Sequence, residues 1–216
     1  MIKLPQKNNV SPTEIADPLK FYYMPVSRGF YIKRLEMAAS LIRPHYPDRL
    51  LDAGCGSGIF LKELETLCQN LTAIDLHRKM DLVHEMTQKE RINANLCETS
   101  VTNLPFRSEA FDGVVSVSVL EHIKALDHAF SEIDRVAKSG AVIVLGFPVK
   151  NIITDFILRA SYKLLPNVEL EDEHVSDHID IIKGAKERFG QIYQYHFPSF
   201  LPLSFSAYCI LKIIKK

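Results

Sequence analysis

Apolar positions along the chain follow two rhythms. Between Arg49 and Phe147, short apolar runs alternate with longer stretches whose apolar residues recur every three or four positions. The short runs predict strands: RLLDAG (49–54), LTAIDL (71–76), RINANLC (91–97), FDGVVSVSVL (111–120) and GAVIVLGF (140–147). The longer stretches predict amphipathic helices. GIFLKELETLCQ gathers Phe60, Leu64, Leu67 and Cys68 on one side, HRKMDLVHEMTQKE follows the second strand, and ALDHAFSEIDRVAK aligns Leu126, Ala129, Phe130, Ile133 and Val136. Strands that are apolar throughout and separated by helices belong in a parallel sheet covered on both faces.

The two ends of the chain read differently. Residues 1 to about 20 predict a flexible arm, followed by a helix over FYYMPVSRGFYIKRLEMAASLI with Phe30, Ile32, Leu35, Ala38, Ala39 and Ile42 on its stripe. Pro44 and Pro47 stop that helix. Beyond Pro148, NIITDFILRASYKLL predicts an amphipathic helix with Ile153, Phe156, Ile157, Ala160 and Leu164 on one side, and PNVELEDEHVSD an acidic loop. HIDIIKGAKERF predicts a helix capped by Asp177, with Ile179, Ile182, Ala185 and Phe189 inward. QIYQYHF and SAYCILKII predict two strands whose linker, PSFLPLS, is too short for a crossover helix, so they pair antiparallel. The domain reading is an N-terminal arm and helix over 1–45, then one α/β domain over 46–216 with a cap insert at about 150–177.

Composition narrows the function classes. Lys plus Arg and Asp plus Glu are both 26, so the chain lacks the cationic surplus that broad nucleic-acid binding draws on. The four cysteines, Cys55, Cys68, Cys97 and Cys209, show no C-x-x-C spacing and read as reduced, mostly buried thiols. The polar N-terminus carries Pro5, Pro12 and Pro18 and no apolar core of signal-peptide type, and no apolar run approaches the ~20 residues of a membrane span. The expectation is a cytoplasmic protein with no stable membrane insertion.

The candidate chemistry begins where the first strand meets its helix. In RLLDAGCGSGIF, Asp52 precedes Gly54, Gly56 and Gly58. Parallel sheets bind ligands at the carboxyl ends of their strands, so this turn is well placed. A dinucleotide fingerprint needs its third glycine at 59, which is Ile59, and no G-K-[ST] follows as a phosphate loop requires. A carboxylate beside the loop suits a cationic ligand. Asp75 ends the second strand, 75 − 58 = 17 residues beyond the last loop glycine, where a carboxylate grips ribose hydroxyls. The alternative for Asp75 is a cap on the helix that follows.

LLDAGCGSG with the following AID resembles motifs I and II of the class I S-adenosylmethionine-dependent methyltransferases. VTNLPFRSEAFDGVVSVSVLEHI and SEIDRVAKSGAVIVLGFP are similar to later segments of the ubiquinone-biosynthesis-like (methyltransferase type 11) subgroup, so that the resemblance spans roughly residues 49–148. It implies a Rossmann-like, doubly wound seven-stranded sheet, mostly parallel with an antiparallel C-terminal hairpin. It implies S-adenosylmethionine as cofactor, with S-adenosylhomocysteine as product. Carried across, Gly54, Gly56 and Gly58 line the methionine end, Asp52 helps hold its amino group, and Asp75 with Leu76 meets the ribose. Val101 and Leu104 lie by the adenine, and Ser116 and Val117 offer carbonyls beside the sulfonium. Ser100 stands where the family usually has an aspartate for the adenine amino group.

Methyl transfer needs alignment above all, and a base only where the acceptor is protonated. The candidates are Glu121 and His122 in VLEHI and His174 in EDEHVSDH. In metal-dependent quinol O-methyltransferases a carboxylate precedes that glutamate by three residues; here it is Ser118, so no metal is expected. His174 and His178, four apart, would suit a metal only on one helix. Tyr22, Tyr23, Phe30 and Tyr31 on one side, and Phe156, Ile157 and Tyr162 on the other, form a rim suited to an apolar small molecule. No [DNS]-P-P-[YFW] ends the fourth strand and no cysteine follows a proline, which speaks against nucleic-acid methylation. The reading is a methyltransferase acting on a small, apolar or lipid-like molecule; its rival is a cofactor-binding but inactive partner subunit.

Overall fold

The computed structural model describes residues 2–14, 17–151 and 175–216. Seven strands form one sheet in the order β3-β2-β1-β4-β5-β7-β6. They are β1 (Arg49–Ala53), β2 (Asn70–Asp75), β3 (Ala94–Glu98), β4 (Phe111–Val117), β5 (Ala137–Pro148), β6 (Tyr193–Phe197) and β7 (Tyr208–Ile214). β1 to β5 pair in parallel, and β7 runs antiparallel to both β5 and β6. This is the mostly parallel sheet with an antiparallel C-terminal hairpin that the alternation and the short 198–204 linker predict.

Among the described residues the α-helices are α1 (Leu19–Tyr23), α2 (Pro25–Ile42), α3 (Leu61–Leu64), α4 (Met80–Glu90), α5 (Leu126–Val136) and α6 (His178–Phe189). Strand residues alternate between two cores, as the two-residue strand period dictates. Leu50, Ala73, Val115 and Val144 face Leu35, Ala38 and Ile42 of α2, Leu61 and Leu64 of α3, and Val83 and Met86 of α4. Leu51, Ile74, Val114 and Ile143 face Ala129, Phe130 and Ile133 of α5 and Ile181 and Ala185 of α6. β1 leads to β2 on one side while β4 lies on its other side, so the chain reverses its winding direction between β1 and β4. That crevice is where the glycine loop emerges.

Four expectations change. Residues 2–10 are not a loose arm: Ile2 and Val10 are buried, and the Lys3 N–H donates to Glu63 Oε2 at 2.9 Å. Glu90 Oε1 accepts the Gln6 N–H at 2.8 Å and the Asn9 amide at 2.6 Å, while its other oxygen pairs with Lys62. The helix of FYYM…SLI is two, because Pro25 starts a new helix after Met24 turns extended. The helix after the glycine loop spans only Leu61–Leu64 before a 3₁₀ turn at Glu65–Leu67. On α6 Ile179 is exposed and Ile181 takes its place in the core. The helix expected over 151–165 lies outside the described residues apart from Asn151.

Replacing Glu90 by alanine strands three donors from two distant parts of the chain. Loss of about 1–3 kcal/mol in stability is expected in urea denaturation, with faster amide exchange at Gln6.

Candidate active site

The glycine loop is held from inside the protein and open on its outer side. The Gly54 and Cys55 N–H groups both donate to the Ile74 carbonyl at 2.9 Å, tying the loop to β2. Gly54 has φ +102°, and a Cβ there would lie 2.2 Å from Val119 Cγ2. A Cβ on Gly58, at φ +78°, would meet Met86 Cε at 2.5 Å. A Cβ on Gly56 would meet nothing among the described residues within 4 Å, so this glycine marks the open face. The first and third glycines admit the protein's own side chains; the second leaves room for a ligand.

Asp75 at the tip of β2 braces that open face. Its Oδ2 accepts the Gly56 N–H at 2.7 Å, and its Oδ1 accepts the Leu76 N–H at 2.7 Å and the His77 N–H at 3.3 Å. It is no helix cap: α4 begins at Met80 with Lys79 in the cap position. A carboxylate offers about four acceptor positions, so capacity remains for a ligand hydroxyl. His77 completes the brace. Its Nδ1 accepts the Lys79 N–H at 3.2 Å, which assigns the proton to Nε2, and Nε2–H donates to the Gly56 carbonyl at 2.9 Å. Cys55, Asp75 and His77 present donor atoms within 4.8 Å of one another. Both nitrogens of His77 are engaged and burial pushes the Cys55 thiol well up, so the trio fits a hydrogen-bonded loop brace better than a metal site.

Asp52 lies 3% exposed in β1. Burial, and secondarily the negative charge of Asp75, pushes its carboxyl up to about 8. That shift favours the protonated form of Asp52 in the free protein, while a cationic ligand would favour the ionised form. The sign for stability follows. The unfolded carboxyl titrates near 3.8, so stabilisation by the proton is complete below that pH and is lost as pH rises through about 8. Burial raises Glu121 to about 8 as well, with the same sign. Asp52→Asn is expected to flatten, without abolishing, the fall of Tm between pH 5 and 8, as scanning fluorimetry would read; a steeper fall in the variant contradicts the assignment.

The other expected residues divide. Leu76 is 68% exposed beside Asp75, available to a flat ligand. The Thr99 N–H donates to the Asp75 carbonyl at 2.9 Å and brings the Ser100 segment to the same rim. Ser100 Oγ is occupied locally, 2.8 Å from Thr102 Oγ1. Val101 and Leu104 are buried in the α5-side core. Ser116 is buried, its hydroxyl donating to the Ala53 carbonyl at 2.7 Å, which locks β4 to β1 below the loop. Val117 ends β4 half-buried. Glu121, 3% exposed, sits in the turn Leu120–His122, and its Oε2 is buried without a partner; His122 is exposed. His174, with Phe156, Ile157 and Tyr162, lies outside the described residues. Asp177 caps α6 as expected, accepting the Ile179 and Asp180 N–H groups at 2.8 and 2.9 Å.

One residue escapes the sequence reading. Arg34 of α2 is buried, donating from Nη1 to Ser118 Oγ at 3.1 Å and from Nη2 to Tyr22 Oη at 3.0 Å. Ser118 Oγ also lies 3.0 Å from Tyr208 Oη. The signal was present: a lone cation four residues from both Phe30 and Ala38, on the apolar stripe.

Comparison with known proteins bears on this site. Residues 51–145 match the family model described as "Methyltransferase domain". A ubiquinone biosynthesis O-methyltransferase of Methylocella silvestris is 30% identical over 110 residues, covering 50% of this chain and 43% of the relative. The 24-methylenesterol C-methyltransferase 3 of Arabidopsis thaliana is 27% identical over 155 residues, covering 70% of this chain and 38% of the relative. The chain thus spans about two fifths of the length of these curated relatives. Geranyl diphosphate C-methyltransferase of Streptomyces coelicolor, crystallised with Mg2+, geranyl diphosphate and S-adenosyl-L-homocysteine, superposes with a TM-score of 0.61. That superposition has 14% identity and covers 84% of this chain and 78% of that one, and it shows a shared fold.

Proposed function

We propose that the protein, whose residues 51–145 match a methyltransferase domain, is a class I, S-adenosylmethionine-dependent methyltransferase that methylates a small, apolar or lipid-like molecule at the carboxyl edge of β1, β2 and β4. When bound, S-adenosylmethionine supplies an electrophilic methyl group on a sulfonium with a neutral leaving group. The residues present fit it. Gly56 leaves the loop face open, Asp52 offers a buried carboxyl that awaits a cation, and Asp75 offers a half-buried carboxylate at the strand tip. In this reading Gly54, Gly56, Gly58 and Asp52 hold the amino-acid end, and Asp75 with Leu76 holds the ribose. Ser100, Val101 and Leu104 border the base, and Ser116 and Val117 lie behind the sulfonium.

The observation that carries the substrate reading is the aromatic group between α1, α2 and β7. Tyr31 lies 5.1 Å from Phe21, 5.2 Å from Tyr22 and 5.6 Å from Phe30, ring centre to ring centre, and Tyr208 joins them across Arg34. Such rings favour a hydrophobic molecule with a polar end. The relatives named for a ubiquinone pathway and for sterols support a lipid-like acceptor. Among the described residues no helix is long and apolar enough to cross a membrane.

Incubation with S-adenosylmethionine labelled in its methyl group, together with fractionated cell extract, tests the reading. Label is expected in the organic-soluble, small-molecule fraction. Label confined to RNA or protein would overturn the substrate class, and no transfer would favour the inactive partner subunit.

A further inference from the structure

Arg34 is a buried cation with no ion-pair partner among the described residues. It is 7% exposed, and its two terminal nitrogens donate to neutral hydroxyls, those of Ser118 and Tyr22. Its guanidinium carbon lies 4.3 Å from the ring centre of Tyr31 and 5.4 Å from that of Tyr208. Its Nε–H is buried with no acceptor among the described residues. Among the described residues no carboxylate comes within the 4.0 Å of an ion pair with it. The acid that feels its charge is Glu121, whose Oε2 is the second buried atom without a partner. Burial pushes that carboxyl up to about 8 while Arg34 pulls it down, which weakens the charge it sets against the arginine at neutral pH. A guanidinium buried without a counter-charge costs several kcal/mol, which an anion at its free N–H would offset.

The cluster adjoins the methyl-donor loop. Ser118, at φ +58°, turns the chain out of β4, with its hydroxyl between Arg34 and Tyr208. The next residue, Val119, packs against Gly54. Pairing of Pro148 with Tyr208 sets the start of β7 at the same edge of the sheet as the end of β5. Two hydrogen-bonding groups that no described residue fills, a guanidinium N–H and a carboxyl oxygen, thus stand beside an aromatic group at the carboxyl edge.

We propose that Arg34 and Glu121 form an oxyanion site that binds the substrate through an acidic oxygen, a carboxylate or a phenolate, at the end of β4 beside the glycine loop. The proposal deepens the methyltransferase reading and rests on it. It names the polar end of the lipid-like molecule: an acid, held by the Arg34 Nε–H and the Glu121 carboxyl. An oxygen bound as its anion has already lost its proton, so no general base is required to ionise it.

Simple probes test this in the protein saturated with S-adenosylhomocysteine. Calorimetry first establishes that the product binds; its failure to bind would remove the methyl-donor reading and this proposal together. Benzoate and 4-nitrophenolate are then titrated against their neutral counterparts, benzamide and 4-nitroanisole. At least one anion is expected to bind tenfold or more tightly than its counterpart, and which one does so tells carboxylate from phenolate. Arg34→Lys, checked for unchanged product affinity, is expected to bring that preference below about twofold, since a point charge does not reproduce the guanidinium fork. Three results would overturn the oxyanion site while leaving the methyltransferase reading intact. They are equal affinity for anion and neutral probe, no anion binding up to about 10 mM, and a preference that survives in a folded Arg34→Lys. The wild-type comparison decides the matter even where the variant does not fold.

Discussion

Asp75→Ala is expected to weaken S-adenosylhomocysteine binding by at least about 100-fold. The charge-assisted bond to a ligand hydroxyl at the remaining acceptor position, and the Gly56 N–H bond that braces the open side of the loop, contribute roughly 1.5–3 kcal/mol each. In the free protein the same carboxylate accepts the Gly56, Leu76 and His77 N–H groups. Loop bracing and ligand recognition therefore have to be separated. Asp75→Asn helps to do so: its one oxygen can still accept the Gly56 N–H, while its amide NH2 forfeits the bonds from Leu76 and His77, so a modest loss of stability accompanies a tenfold or greater loss of affinity. Calorimetric titration of both variants reads the difference. An unchanged dissociation constant for Asp75→Ala would remove Asp75 from the binding site.

The second large effect concerns Gly54. An alanine there must adopt φ +102° and place its Cβ 2.2 Å from Val119 Cγ2. Left-handed strain and overpacking together cost about 2–4 kcal/mol, which for a chain of this size lowers Tm by roughly 6–12 °C. Product binding should fall with it, since the loop hangs from the two bonds that Gly54 and Cys55 donate to Ile74. Val119→Ala placed in the Gly54→Ala background relieves the clash and leaves the backbone strain, so it should recover part of the loss. Thermal denaturation of the three proteins checks this. Gly54→Ala with an unchanged Tm would mean that the loop does not hold the conformation described.

The sheet was legible because its signal is local and repeated. Apolar runs such as VVSVSV and VIVL name central strands, and the short 198–204 linker names an antiparallel pair. The candidate donor site was legible for the same reason: Asp52, three glycines and Asp75 fall within 24 residues of chain. What escaped depends on distance. The N-terminal segment is tied by backbone N–H groups to Glu63 and Glu90, 60 and 84 residues away, and no periodicity announces such bonds. On α6, the stripe through Ile179 and the stripe through Ile181 are both helical in spacing. The choice fell to Phe130 of α5, which comes so close that a Cβ on Gly184 would lie 2.6 Å from its ring. Arg34 is the clearest case. Its partners Tyr22, Ser118 and Tyr208 come from three separate parts of the chain and meet only once β4, β7 and α2 are assembled.

The central claim is that the β1–α3 turn serves a sulfonium nucleoside in place of a dinucleotide. The most direct measurement is a calorimetric titration of the wild-type protein with S-adenosylhomocysteine and, separately, with NADH. One saturable site per chain for S-adenosylhomocysteine and no heat of binding for NADH is the predicted result. Saturable binding of NADH with none of S-adenosylhomocysteine would contradict it.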